Sequence, residues 1–414
     1  MRPVDAGINF ADVSTYAAEG PISEGRAWVG RSATRCAPYP VNEAQIGYYC
    51  GLVEDANENY WDREAAERRY GSIISPPGML IVWSFPLPWT PRGRPDHSPF
   101  LGLEVPLPGR TLINVSTDTT FHAIVRVGDE LRYSERVSAI SDDKRTALGV
   151  GHFVTTITDI TNQHEERVAT HENVLYRYEP NAATSPPSPS AAEAPPIGDL
   201  PVVTMPVTVG RCVLGAATTR DFFPGHHDRE YAHAQGADDV YLNTMFYHGF
   251  VDRVVTDWAG PDSRILRRRL RMLVPACAGD VLTTSAAITA ERKASGQSEV
   301  DVEVTVFSGA TEALFSSIMA LVEPGEEVVL IEPFYDSYPP CTAMAGGVVR
   351  RVPLTVPGFR LTAEALQAAV SPRTKLIVIN TPMNPTGRVF DREELQLVAR
   401  AAEQADAYVL CDEV

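Results

Sequence analysis

The sequence has few cysteines and does not group them. Cys36, Cys50, Cys212, Cys277, Cys341 and Cys411 form no C-x-x-C pair and no Cys/His cluster. That scatter argues against a zinc site or a disulfide framework and fits a reducing cytoplasm; no metal site is expected. Apolar runs of membrane-spanning length are missing. The acidic N-terminus, MRPVDAGINFADVSTYAAEG, has no apolar core of the kind a signal peptide needs. Positive charge is in deficit too: the net charge is -17. Such a surface repels phosphate backbones, which argues against nucleic-acid partners, and an anionic ligand would need a local basic patch.

What is present is a chain of 414 residues, too long for one core, with the composition of an ordinary soluble protein. The segment from Glu179 to Pro201 is rich in Pro, Ala and Ser and has no apolar periodicity. It reads as a semi-stiff spacer. The stretches on either side share a layout. Before the spacer come an apolar-periodic helix over Val41 to Glu54, the polar turn DANENYWD, and a helix expected just after Pro76-Pro77-Gly78. Alternating strands such as Thr119–Val127 and Ala147–Thr158 come next, divided by the turns VGDE and SDDK. After the spacer, DFFPGHHD is followed by a helix expected to begin near His248-Gly249, with strands flanking PACAGD. We read this as an internal duplication, in which a long helix is wrapped by an antiparallel sheet twice. The last hundred residues differ. Short apolar runs, Val328–Ile331 and Leu376–Ile379, alternate with helices over Glu312–Val322 and Arg392–Glu403, an α/β pattern.

The chemical signal is Asp221-Phe-Phe-Pro-Gly-His226. A carboxylate and an imidazole on one turn can grip a water between them, and a backbone N–H at a helix start can hold a developing oxyanion. Gly249 fits that second role, since glycine admits a ligand close to the backbone. A bare D-x4-H is more often a turn cap beside a surface histidine. The wider pattern D-x-x-P-x-H-x5-A, from Asp221 to Ala232 with His-Gly downstream, resembles the MaoC-type, R-specific enoyl-CoA hydratases. That resemblance implies an α+β double hot-dog fold and catalytic roles for Asp221, His226 and the Gly249 N–H. It also departs from the family: Phe223 stands where asparagine is usual.

The first repeat carries the pattern in degenerate form. Asp55 precedes Tyr60 where the histidine belongs, and Gly78 takes the place of the second glycine. Tyrosine, with an unperturbed pKa near 10, is a poor base at neutral pH. Asp55, Tyr60 and Gly78 are therefore expected to shape an acyl pocket, with a plain turn role for Asp55 as the alternative. VGDEL and GHFVTTITDITNQHEE in this half resemble the FAS1-like dehydratase domain of tandem hot-dog hydratases. ATTRDFFPGHHDREYA and GFVDRVVTDWAGP resemble the two-subunit hydratases of bacterial steroid side-chain degradation, here fused, and imply a bulky enoyl-CoA. In the basic run Arg264–Arg271, read as a strand, Arg267, Arg269 and Arg271 would share a face and could meet CoA phosphates, or simply form a solvated strand face or interface pairs.

GATEAL at Gly309–Leu314, EPFYDSYPP, NTPMNPTG and the terminal CDEV together resemble class I/II aminotransferases of PLP fold type I. By that resemblance Ala310 and Thr311 would approach the PLP phosphate, Tyr335 would stack on the ring, Asn384 would meet its hydroxyl and Asp412 its nitrogen. The sequence stops at Val414, before the family's Schiff-base lysine, so the PLP site is expected to be vestigial and transamination closed. The seam is expected at Glu303–Val306, where a crossover would cost the second hot-dog its final strand. The resulting domains are 1–179, a degenerate hot-dog; 180–201, the spacer; 202–306, the catalytic hot-dog; and 307–414, an incomplete α/β piece of a PLP fold type I large domain. The expected activity is hydration of an enoyl-CoA without a cofactor. The alternatives are a non-catalytic acyl-CoA-binding subunit and an inactive aminotransferase descendant. A homodimer or a hot-dog partner subunit is the expected assembly.

Overall fold

The computed structural model describes residues 19–87, 100–109, 111–146, 148–180, 200–294, 297–308, 310–354 and 356–412. The spacer lies almost wholly outside them. Two compact units divide the chain. One holds residues 1–188, 200–202 and 206–280, and the other 189–199, 203–205 and 281–414. The break at 280/281 differs from the sequence-based boundary at 306/307. The long hairpin that begins at residue 281 makes most of its hydrogen bonds with itself and groups with the α/β elements C-terminal to it.

The strands, in chain order, are β1 (Ser32–Cys36), β2 (Thr111–Phe121), β3 (Arg132–Ile140), β4 (Lys144–Arg145), β5 (Gly149–Thr161), β6 (Arg167–Pro180), β7 (Thr204–Pro206) and β8 (Arg267–Arg271). In the first unit β1-β3-β5-β6-β2-β8 form one sheet, with β4 beside β5, and every pair is antiparallel. Its helices are α1 (Ile22–Arg26), α2 (Glu43–Val53), α3 (Glu58–Trp61), α4 (Arg63–Tyr70), α5 (Leu101–Glu104), α6 (Val209–Thr219), α7 (Arg229–Ala234) and α8 (Thr244–Ala259).

This unit repeats itself at a fixed offset. Asn42 caps α2 and Thr208 caps α6; Glu54 and Arg220 end those helices in the left-handed conformation. Both pairs are 166 residues apart (208 − 42 and 220 − 54), as are Asp55 and Asp221, and Tyr60 and His226. The residue before each cap is clasped by a Gly-Asp turn. Val41 exchanges backbone hydrogen bonds with Gly128 and Asp129, and Val207 does the same with Gly279 and Asp280, at 2.8–2.9 Å.

The two repeats differ where the long helix was expected. In the second, α8 starts at Thr244, whose cap Asn243 accepts from Phe246 N–H at 2.9 Å. That start is earlier than the one expected near His248-Gly249. In the first, only 3-10 turns form, over Pro77–Met79 and Val82–Ser84. Trp83 then donates back to Ser75 Oγ at 2.9 Å, and Tyr133 claims the Leu80 carbonyl at 2.7 Å.

Gly78 and Gly249 meet across the repeats. A Cβ on Gly78 would lie 2.6 Å from the Tyr49 hydroxyl and 2.7 Å from Gly249 N; one on Gly249 would lie 2.6 Å from the same hydroxyl. That hydroxyl donates to the Met245 carbonyl at 2.6 Å, so it is not free to move aside.

In the second unit β9 (Val281–Ala294) pairs antiparallel with β10 (Gln297–Ser308) and also pairs with β7. Four parallel strands come after them, β11 (Glu327–Glu332), β12 (Val348–Pro353), β13 (Thr374–Asn380) and β14 (Tyr408–Asp412), in the order β12-β11-β13-β14. They alternate with α9 (Ala310–Leu321), α10 (Tyr338–Met344), α11 (Ala363–Ala369) and α12 (Arg392–Ala405). Val329, Ile331, Ile377 and Ile379 pack with Leu366 and Val398, while Val328, Leu330, Leu376 and Val378 pack with Leu314 and Ile318. Both faces of this sheet are buried, which is why its strands read as unbroken apolar runs.

The first repeat places β6 between β5 and β2. After β10 the chain passes into α9, and among the described residues no strand pairs with the outer edge of β10. The expected seam, Glu303–Val306, falls inside β10.

Gly249→Ala and Gly78→Ala are each expected to lower stability by about 1–3 kcal/mol, the usual cost of overpacking a closed contact. Urea unfolding of the full chain measures this; a midpoint within error of wild type in both variants would contradict the contact.

Candidate functional site

The turn after α6 carries the Asp/His pair. Pro224 opens a single 3-10 turn over Pro224–His226, where its fixed φ suits a first position and its missing N–H costs nothing. The turn brings His226 back over Asp221: Nε2 lies 3.4 Å from Asp221 Oδ2. Both groups are within reach of one shared water. The other ring nitrogen, Nδ1, is 2.8 Å from the Tyr241 carbonyl oxygen. A carbonyl only accepts, so Nδ1 carries a hydrogen, and Nε2 is the ring nitrogen turned toward Asp221. His226 is 6% exposed. Phe223, in the position where the resemblance leads one to expect asparagine, packs its ring 5.6 Å from the imidazole, and Tyr241 packs at 5.2 Å. Gly225 is required by this packing, since a Cβ there would lie 2.3 Å from the Tyr241 hydroxyl.

Gly249 does not sit where its expected role requires. It is the sixth residue of α8, one turn past the amides a helix leaves outside its own ladder. The amides at the start of α8 are those of Asn243 to Phe246, and the Asn243 side chain takes that of Phe246.

In the first repeat Asp55 and Tyr60 are both buried but open onto different hollows. Tyr60 lines a cavity of about 60 Å³ with Ile74, Leu80, Phe121, Val125 and Ile265. Asp55 lines a shallow surface hollow with Gly51 and Trp61. Its carboxylate accepts Asn57 N–H at 2.9 Å, the turn role weighed as the alternative. Burial pushes the Asp55 carboxyl up to about 6, and burial together with that neighbour pushes the Tyr60 phenol up as well. Tyr60 is therefore no base near neutral pH.

Arg267 and Arg269 do share the exposed face of β8. Asp118 on β2 binds both, at 2.6–2.8 Å for Arg267 and 2.8 Å for Arg269, so these cations are already matched by a carboxylate. Arg268, between them, is buried and pairs with the buried Asp252 of α8.

The C-terminal residues gather in part. Asp412 ends β14, is buried, and accepts a short hydrogen bond from the Tyr338 hydroxyl. Asn380 Nδ2 donates to the Asp412 carbonyl at 2.9 Å, and Asn384 N–H donates to Asn380 Oδ1 at 2.5 Å. The Tyr335 ring stands edge-on to Tyr338 at 5.8 Å. Ala310 opens α9 with Thr311 second, and their side chains lie outside the described residues. These groups fit a pyridine ring only partly, because the Asp412 carboxylate already takes a phenol as its partner. Lys375 is the second residue of β13, about 16 Å along the strand from Asn380. The described residues of this end offer no amine for an aldimine, so no step is derived through PLP.

Comparison with known proteins finds two different matches along the chain. Residues 27–171 match the FAS1-like, dehydratase domain region, and residues 260–414 match aminotransferase class I and II. A MaoC-like dehydratase structure is covered over 100% of its length by 69% of this chain, with a TM-score of 0.50 and 18% identity. A MaoC domain dehydratase from Chloroflexus aurantiacus is covered over 86% of its length by 68% of this chain, with a TM-score of 0.51 and 14% identity. The C-terminal part is 50% identical over 133 residues to a probable N-succinyldiaminopimelate aminotransferase of Mycobacterium tuberculosis, 31% of this chain and 33% of that protein. The chain thus carries two regions with different resemblances, a MaoC-like dehydratase fold and a region that matches aminotransferase class I and II. It spans about a third of the length of that curated aminotransferase. The aminotransferase match extends back to residue 260, through strands that pair antiparallel here; the parallel sheet begins only at β11. Among the described residues no helix is long and apolar enough to cross a membrane.

Sequence reasoning missed three contributors. Tyr241 acts through a backbone carbonyl, which leaves no mark in the sequence. Asp118 lies far from the arginines it neutralises and is found only by strand register. Arg220, beside Asp221, had no motif to flag it.

Asp55 gives a pH test. Its folded-state value of about 6 lies above the unfolded value near 3.9, so the folded protein holds this proton more tightly. The resulting stability is fully present below about pH 4 and is lost as pH rises through about 6. Asp55→Asn should therefore be more stable than wild type near pH 8, by up to about 3 kcal/mol, and the difference should close near pH 4. Equal unfolding midpoints at both pH values would contradict the burial of this carboxyl.

Proposed function

We propose that the chain is an enoyl-CoA hydratase, equally a 3-hydroxyacyl-CoA dehydratase, built as two MaoC-type hot-dogs with the active pair in the second. The observation that carries this is the His226 ring, held through Nδ1 by the Tyr241 carbonyl with Nε2 3.4 Å from Asp221. A water held between them is oriented by the carboxylate and gives a proton to Nε2 as its oxygen attacks Cβ of the enoyl thioester. Charge then moves to the thioester oxygen, and the amides at the start of α8 are the donors left to receive it. The proton taken up by Nε2 is then passed to Cα, which completes the addition of water and restores His226, and no cofactor enters. The MaoC-like fold supports the reaction class. The resemblance of the second repeat to steroid side-chain hydratases supports a bulky or branched acyl group. The degenerate repeat, with Tyr60 facing an apolar cavity, is proposed to shape acyl binding rather than to catalyse.

A second reading, an acyl-CoA-binding chain without turnover, draws on the outer edge of β10, which pairs with no strand among the described residues. It rests on the expectation that the second hot-dog lacks its final strand.

Purified full chain should remove the ultraviolet absorbance of a conjugated enoyl-CoA. Asp221→Asn and His226→Ala should each cost about two to four orders of magnitude in kcat. Saturable CoA-ester binding with no turnover across short, branched and steroid substrates would favour the second reading and rule out the first.

A further inference from the structure

The residue before Asp221 is held in a conformation that side chains rarely take. Arg220 has φ 59°, the left-handed region in which glycine is comfortable and arginine is not. It is 8% exposed, although arginine is almost never buried without partners. Its hydrogen-bond partners come from the first repeat. The guanidinium donates to the Val82 carbonyl at 2.6 Å, to the Phe85 carbonyl at 3.2 Å, and to the Tyr39 hydroxyl through a short hydrogen bond. It also stacks 4.9 Å from the Tyr39 ring centre. These are three separate acceptors served by one rigid, planar fork, a task lysine cannot perform.

The symmetry-related position makes the comparison sharper. Glu54, before Asp55, has φ 57° and is held by the second repeat: Arg211 binds its carboxylate at 2.7 Å, and Arg253 lies 3.8 Å away. The same two arginines reach the Leu52 and Val53 carbonyls at 2.6 and 2.9 Å. Each repeat thus ends its first helix in a left-handed charged residue gripped by the other repeat, with the sign of charge reversed.

We propose that Arg220 is a positioning residue for hydration: by anchoring the end of α6 to the 82–85 segment it sets where Asp221 stands relative to His226. This rests on the hydratase reading above. A cation at a helix C-terminus would be favourable in any case, through the helix dipole. Charge alone, however, explains neither the burial nor the choice of a left-handed arginine where glycine would do.

The test uses the full chain with Arg220→Gly, Arg220→Lys and Glu54→Gly. Glycine keeps the left-handed backbone and removes only the anchor; lysine keeps the charge and loses the fork. Steady-state hydration of a short enoyl-CoA is read beside histidine nitrogen NMR, which reports whether Nδ1 of His226 keeps its hydrogen-bonded proton. Arg220→Gly and Arg220→Lys should lose about tenfold to a hundredfold in kcat with little change in KM, as expected when reacting groups move by a fraction of an ångström to an ångström. The His226 Nδ1 signal should shift in both, while Glu54→Gly keeps kcat. Wild-type kcat and an unshifted His226 signal in Arg220→Lys would overturn the proposal. An equal loss in Glu54→Gly would also overturn it, since the effect would then be general loosening. Should the wild type fail to hydrate any enoyl-CoA, the hydratase reading falls while the His226 signal still decides whether Arg220 sets the turn.

Discussion

The contact between Gly78 and Gly249 constrains the rest of the N-terminal unit. With no Cβ on either side, two backbones and the Tyr49 hydroxyl share a space that even one methyl group would overfill. That approach fixes the start of the first repeat's 3-10 turns against the second turn of α8. The contacts that cross between the repeats then fall at defined distances: Tyr49 on Met245, Arg220 on Val82, Arg211 on Leu52. Gly249, expected from sequence to hold a thioester oxygen, and Gly78, expected to help shape an acyl pocket, meet instead at this close contact between the repeats.

The Asp/His turn shows how a pair with ordinary surroundings can be given a direction. Two aromatic rings pack on the imidazole, and a backbone carbonyl settles its tautomer. The degenerate repeat keeps the turn and its carboxylate but replaces the imidazole with a phenol that burial makes still less acidic. The two repeats thus share a turn but differ in the side chain that faces its carboxylate, an imidazole in one and a phenol in the other.

Much of this was legible in the sequence because it depends on local patterns. The Asn42-capped helix, the Asp221–His226 turn, the exposed arginine face of β8 and the buried parallel strands all come from spacing and alternation. The misreadings have physical causes. Tandem proline reads as a helix start, yet in the first repeat it yields 3-10 turns because the chain is drawn back by Trp83 and Tyr133. His-Gly reads as the start of α8, but Asn243 caps that helix one turn earlier. Long-range partners such as Asp118 for Arg267 and Arg269, and the fork of Arg220, depend on register and tertiary packing that no motif encodes. The seam between the two resemblances is visible in sequence as a change from alternating to continuous apolar strands. The structure adds that β10 runs through it unbroken.

The central claim is that this chain adds water to a conjugated thioester at Asp221 and His226. The most direct measurement incubates the purified chain with an enoyl-CoA in heavy-oxygen water and follows the product by mass spectrometry. The account predicts a product heavier by one labelled water, with the label retained at the β-carbon and its formation abolished in His226→Ala. An unlabelled, unchanged enoyl-CoA, or labelling that persists at the wild-type rate in His226→Ala, would contradict it.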